Sequence, residues 1–126
     1  MSRASGRIMG QITWVYAEDL GQTIPFYRDV LGLRIDRDSG AAMIFETAPG
    51  AFVGVCEAFD DRVVEPKGGM ITLLVEDVAT VDAWYQRMVD AGAIPMRAPE
   101  KMERFGIYSF FCRDPNGYVI EMQTFL

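Results

Sequence analysis

The chain repeats itself. Ile12–Gly32, "ITWVYAEDLGQTIPFYRDVLG", lines up without a gap on Met70–Asp90, "MITLLVEDVATVDAWYQRMVD", 58 positions later. Glu18-Asp19 falls on Glu76-Asp77, Leu20 on Val78, and Phe26-Tyr27 on Trp84-Tyr85. Each copy is an alternating or apolar run, then an acidic pair, then an amphipathic stretch. That order spells a strand entering a helix, with the acids at the N-terminal end where the helix dipole favours negative charge. Pro25 would damage a helix interior, so the first helix is expected to start from an N-cap at Thr23, with Pro25 in its first turn.

Further strand signals follow each helix. "LRIDRD", "AAMIFET" and "AFVGVCE" come after the first; "IPMRA", "IYSFFCR" and "YVIEMQTF" come after the second. Asp114-Pro115-Asn116-Gly117 has the chemistry of a type I turn, with Asp at its first position, Pro at its second and Gly at its fourth. The pattern is βαβββ, twice, which makes an α+β fold. At 126 residues the chain is expected to form one domain, burying roughly two-thirds of the surface of its unfolded form. The expected organisation is a short mobile tail at 1–10 and a single domain at 11–126, built of modules at about 11–60 and 69–126.

Several function classes fall away. The net charge of −6 leaves no basic face for nucleic acid or an anionic membrane. No apolar run approaches the ~18 residues of a membrane span, and the opening "MSRASGRIMG" lacks the apolar core of a signal peptide. Cys56 and Cys112 stand far apart and read as free thiols in a reducing cytoplasm. The chain contains no histidine. That removes Ser-His-Asp and Cys-His nucleophile systems and every metal site built on imidazole. "KGG" at Lys67–Gly69 lacks the flanking pattern of a phosphate-binding loop.

The motifs "DL…FYRDVLG" in the first half and "RDPNGYVIE" near the end, together with the duplication, resemble the vicinal oxygen chelate superfamily. That superfamily includes glyoxalase I, fosfomycin- and bleomycin-resistance proteins, and extradiol dioxygenases. The resemblance runs from about Ile12 to Leu126. It implies two βαβββ modules whose mixed sheets curl around one cavity, in a homodimer. It does not fix a reaction, because one scaffold hosts many chemistries.

In metal-using members the resemblance places ligands on the first and last strands of each module. In this sequence those positions are Ile12, Gly54, Met70 and Glu121. Ile and Gly have no donor atom, a thioether suits soft ions, and one carboxylate cannot hold a catalytic divalent ion. The expectation is therefore no metal and no cofactor, unless a slip of one residue brings Glu46 or Glu57 into place.

Strand parity groups Ile12, Trp14 and Tyr16, then Met70, Thr72 and Leu74, then Val119, Glu121 and Gln123 on the cavity side. The candidate ligand-binding set is Ile12, Trp14, Tyr16, Gly54, Met70, Thr72, Glu121 and Gln123, with Glu121 also the candidate catalytic group. An apolar, aromatic cavity with a few polar anchors is the usual make-up of a small-molecule site. Trp14 offers a flat face for a planar or cationic ligand. The plain alternatives are that the aromatics fill a core, and that Glu121 is a structural charge held by Gln123, the Tyr16 hydroxyl, Arg104 or Arg113. The charged stretch Ala98–Gly106 is either a lid or a solvated loop. Two function classes remain: a metal-free module that binds an aromatic or amphiphilic small molecule, or an enzyme of the same superfamily, with Glu121 as acid or base or with ligands placed elsewhere. A copy with only a structural or regulatory role is a third.

Overall fold

Helix and strand propensities divide the chain as the repeat requires. The structure, a computed structural model, describes residues 6–126. Of the expected tail at 1–10, residues 1–5 lie outside the described residues, and 6–10 carry no regular structure. The first module runs β1 (Gln11–Ala17), α1 (Leu20–Pro25), β2 (Arg34–Asp38), β3 (Ala42–Ala48) and β4 (Ala51–Glu57). The second runs β5 (Met70–Leu74), α2 (Val78–Asp90), β6 (Glu100–Met102), β7 (Ile107–Arg113) and β8 (Val119–Phe125). Each module forms one four-stranded mixed sheet, in the orders β1-β4-β3-β2 and β5-β8-β7-β6. In each, the first strand pairs in parallel with the last and the others are antiparallel, so the second module repeats the topology of the first. None of the described helices is long and apolar enough to cross a membrane.

Two local expectations are corrected. The first helix is capped by Asp19, not Thr23: the Asp19 carboxylate accepts from the Gln22 amide at 3.2 Å. Thr23 lies one turn inside, buried, with its hydroxyl donating to the Asp19 carbonyl at 2.9 Å. Pro25 is tolerated because the helix stops following the α ladder there. Phe26–Val30 continues as a wider π turn, closed by the Leu31 amide on the Phe26 carbonyl at 2.9 Å. The missing N–H of Pro25 falls where the ladder changes. The second correction concerns "IPMRA", which is not a strand. It makes only an isolated bridge, Pro95 to Cys112, beside the Met96 amide's bond to the Phe111 carbonyl, and the third strand of the module is Glu100–Met102.

The core lies on the helix side of both sheets. Val15 and Ala17 of β1, Val53 and Val55 of β4, and Phe45 of β3 face α1 and the π turn that continues it, where Tyr27 stacks on Phe45 with ring centroids 5.8 Å apart. Phe110, Cys112, Ile120 and Met122 do the same under α2, where Tyr85 meets Phe110 edge-on. These residues join into one cluster across both modules. The alternate residues of these strands lie on the opposite, outer faces, where Ser109, Glu121 and Gln123 are nonetheless buried.

The two sequence motifs meet at the module junction. Asp114, first residue of the DPNG turn, accepts from the Asn116 and Tyr118 amides through Oδ1 and from the Tyr27 hydroxyl of the first motif at 2.7 Å through Oδ2. The Asn116 side-chain amide donates to the Thr23 hydroxyl at 2.8 Å. The Tyr118 hydroxyl accepts the amides of Tyr16 and Glu65. Gly117 closes the turn at φ +94°, which no residue with a Cβ adopts easily.

Candidate functional site

The ladder registers set the outer faces in equivalent frames. Ile12 pairs with Phe52 and Trp14 with Gly54, as Met70 pairs with Val119 and Thr72 with Glu121. Gly54 and Glu121 thus occupy the same rung in the two modules, and Trp14 and Thr72 are their cross-strand neighbours.

In the first module the rung is closed by an aromatic ring. The Trp14 indole lies directly against Gly54, so that a Cβ at position 54 would collide with the ring. Glycine is the residue that permits this approach. Trp14 as a whole remains 39 % exposed. Tyr16 lies further along β1, half-buried, with its ring tilted against Phe59 at 6.4 Å. Ile12 is exposed at the other end of the strand.

In the second module the same rung is polar and closed by a hydroxyl. Glu121 is 2 % exposed, and the Thr72 hydroxyl donates to its Oε1 at 2.7 Å. On its other side Glu121 pairs across the ladder with Phe111. Burying a carboxylate is expensive unless it is hydrogen-bonded, and Thr72 supplies a short bond of that kind. The partners considered from sequence are placed elsewhere. Arg113 donates to the Gly117 carbonyl, Arg104 lies over the Phe105 ring, and the Tyr16 side chain belongs to the other module. Gln123, also buried, is the next outward residue on β8. Met70 is 53 % exposed.

Arg97 was not singled out by sequence reasoning. Its guanidinium lies over the Phe111 ring at 4.6 Å, donates to the Ser109 carbonyl at 2.6 Å and comes within 3.5 Å of Glu100. The segment that carries it covers this end of the outer face of the second sheet. The Ala98–Gly106 stretch is thus neither lid nor plain loop: Glu100–Met102 is an edge strand on β7. The only signal in the sequence was an arginine placed before a proline-bounded turn, which is too common to read.

The eight candidate residues are divided between the two sheets. Ile12, Trp14, Tyr16 and Gly54 are on the first; Met70, Thr72, Glu121 and Gln123 are on the second. Trp14 and Met70 share a small recess of about 160 Å³ between β1 and β5, with Tyr118 at its back. Trp14 and Tyr16 border a second, shallower one beside Arg62. Thr72 instead lines a cavity between the modules, bounded by Leu31, Leu33 and Trp84.

A divalent metal does not fit these residues. The space beside Gly54 is taken by the indole, Ile12 offers no donor, Met70 offers only a thioether, and one oxygen of Glu121 is engaged by Thr72. The acids that a slipped register would bring in are elsewhere: Glu46 is on β3, bound to Arg34 at 2.8 Å, and Glu57 ends β4 opposite Ala17. Among the described residues no three His, Cys, Asp or Glu side chains converge.

Comparison with known proteins agrees with the fold. A family model described as the Glyoxalase/Bleomycin resistance protein/Dioxygenase superfamily matches residues 8–122. A lactoylglutathione lyase from Agrobacterium tumefaciens superposes with a TM-score of 0.75 at 25 % identity, covering 97 % of this chain and 96 % of that one. A glyoxalase/bleomycin resistance protein/dioxygenase from Nocardioides gives 0.77 at 18 % identity, over 100 % and 86 %. A glyoxalase-related enzyme from Fulvimarina pelagi gives 0.74 at 18 %, over 90 % and 85 %. No curated protein matches in sequence.

Proposed function

Because the chain belongs to the glyoxalase/bleomycin resistance protein/dioxygenase superfamily, we propose that it binds a small aromatic or amphiphilic molecule on its outer sheet faces without a metal. The observation that carries this reading is the Trp14 indole lying against Gly54, at a rung where the superfamily resemblance puts a metal ligand. A stacking surface stands where a coordinating side chain would project. An aromatic contact of this kind contributes about 0.5–1.5 kcal/mol beyond burial, and more with a cationic ligand. Glu121 is the polar anchor of the opposite module, already oriented by Thr72. The two groups lie on different sheets, so the reading includes a homodimer in which the first sheet of one copy faces the second sheet of the other. Cys56 and Cys112 are free, and burial pushes both thiols up, which suits a reducing cytoplasm.

The likeness to the Agrobacterium lyase supports a second reading, an enzyme with Glu121 as acid or base. Both readings need ligand to reach Glu121, which is nearly buried and has one oxygen held by Thr72. One set of measurements separates the readings. Elemental analysis and native mass spectrometry of the purified protein should find substoichiometric metal and reveal any co-purifying small molecule. Titration with ethidium, a planar cation, should quench tryptophan fluorescence in wild type and in Trp84→Phe, and much less in Trp14→Phe. Stoichiometric metal surviving dialysis, with lyase activity lost to a chelator, would replace the binding reading with the enzymatic one.

A further inference from the structure

The cavity between the modules touches the outer faces at Thr72 and at the exposed Leu74, but most of it lies on the helix side. It measures about 360 Å³, within the range of small-ligand pockets. Its walls are Leu31 and Leu33 after the first helix, Leu73 and Val75 of and beyond β5, Trp84 of α2, and Met122 of β8. The two wall hydroxyls are already spent as donors: Thr47 donates to the Ala51 carbonyl at 3.1 Å and Thr72 to Glu121. The interior therefore suits hydrocarbon and offers little to a polar group.

One charge stands beside the wall residue Trp84. Arg87 holds its guanidinium 4.3 Å from the centroid of the Trp84 ring, which lines the cavity. The same group lies over Gly32, where an added Cβ would collide with Nη2, and the residues on either side of Gly32 are both wall residues. Gly32 has φ +66°, so the turn and the close approach both call for glycine. None of the ion pairs among the described residues engages Arg87. In a chain of net charge −6, an arginine set against a ring and a turn and outside the ion pairs stands out.

We infer that this cavity is a second ligand site, which takes an amphiphilic monocarboxylate: its hydrocarbon chain enters between the modules, and its carboxylate pairs with Arg87. The planar guanidinium is suited to a two-point carboxylate contact, and Arg87 is exposed on its helix.

The probe is decanoate, titrated calorimetrically and by methyl NMR. Binding should be saturable and should strengthen about fourfold per methylene from hexanoate to decanoate. Decylamine of the same length should bind at least tenfold more weakly. Shifts should concentrate on the methyls of Leu31, Leu33, Leu73, Val75 and Met122, and leave Ile12 and Met70 unmoved. Arg87→Gln, an exposed helix position, should keep the wild-type melting temperature and lose about tenfold in decanoate affinity; Arg87→Lys should recover part of that loss. Absence of saturable decanoate binding would overturn the site. So would shifts centred on Ile12 and Met70, which would put the ligand on the outer faces. An unchanged affinity in Arg87→Gln, or equal binding of decylamine, would overturn the carboxylate assignment.

Discussion

Gly54 and Glu121 occupy equivalent rungs, yet one meets an indole and the other a hydroxyl. The difference decides how each position responds to change. At Glu121 the critical element is the bond from Thr72 and not the charge as such. Glu121→Gln keeps an acceptor of the same shape, so the Thr72 hydroxyl stays paired and stability should change by less than about 1 kcal/mol. Thr72→Val removes the donor and leaves a carboxylate oxygen buried without it, which should cost about 1–3 kcal/mol. Urea denaturation of the two variants gives the comparison directly, and a larger loss in Glu121→Gln would mean that the charge itself is structural. The same variant tests the ligand role: Glu121→Gln should weaken ethidium binding more than it lowers stability if the carboxylate anchors ligand. Strand parity alone set Trp14 and Glu121 on the face opposite the helices, which the sequence reading took for a cavity wall. That Thr72 faces Glu121 follows once the parallel pairing of the first and last strands is known, which the sequence implies only through the family resemblance.

At the scale of elements, the two stretches that carried the resemblance turn out to hold the modules together. Tyr27 from the first and Asp114 from the second form a buried contact, and Asn116 reaches Thr23. Motifs that staple a fold recur across many chemistries, which explains why they identify an architecture and not a reaction. The latch has a pH signature. Burial pushes the Asp114 carboxyl up, and hydrogen bonds from Tyr27, Tyr118 and Asn116 pull it partly back. Its folded value stands above the ordinary aspartate value of about 3.9. The native state therefore binds the proton more tightly than the unfolded chain, so this group's contribution to stability falls as pH rises from about 4 through the raised folded value. Asp114→Asn keeps the acceptor for the two turn amides and carries no charge. Its stability relative to wild type should improve steadily across that window, as read by denaturation at a series of pH values; a constant difference would remove the desolvated carboxyl from the account. The turn itself was legible from Asp-Pro-Asn-Gly. The capping of the first helix was not, because the rule that keeps proline in a first turn gives no warning that a helix can widen at Pro25. Nor was β6, since Glu100-Lys101-Met102 is a strand through its register on Ile107–Ser109 and not through apolar content.

At the scale of the whole molecule, both modules spend their helix sides on one common core, and this determines what remains for a partner. Sequence parity separates the helix-side residues of β1 and β8 from their alternates, but it cannot say which faces the modules turn toward each other. The shared core takes Val15, Phe45, Phe110 and Met122, and the outer faces keep Ile12, Trp14, Met70 and Phe125 in contact with solvent. Beside them, β1 and β5 each pair with a single neighbour and so are edge strands of their sheets. Exposed apolar side chains next to open edges favour association, and a two-fold arrangement lets each first sheet meet the partner's second sheet twice. A stable interface of this type buries roughly 1,200–2,000 Å² in total. Sedimentation velocity at micromolar concentration should therefore show a dimer. Ile12→Glu with Met70→Glu places one added acid on each outer face, which in a chain of net charge −6 should shift the protein to monomer. Both positions are more than one-third exposed, so the monomer should retain its secondary structure. It should also lose ethidium binding, because in this arrangement Trp14 and Glu121 come together only across the two copies. A wild-type monomer would remove the partner from the site, and a monomeric variant that still binds ethidium at wild-type affinity would place the whole binding surface on one sheet.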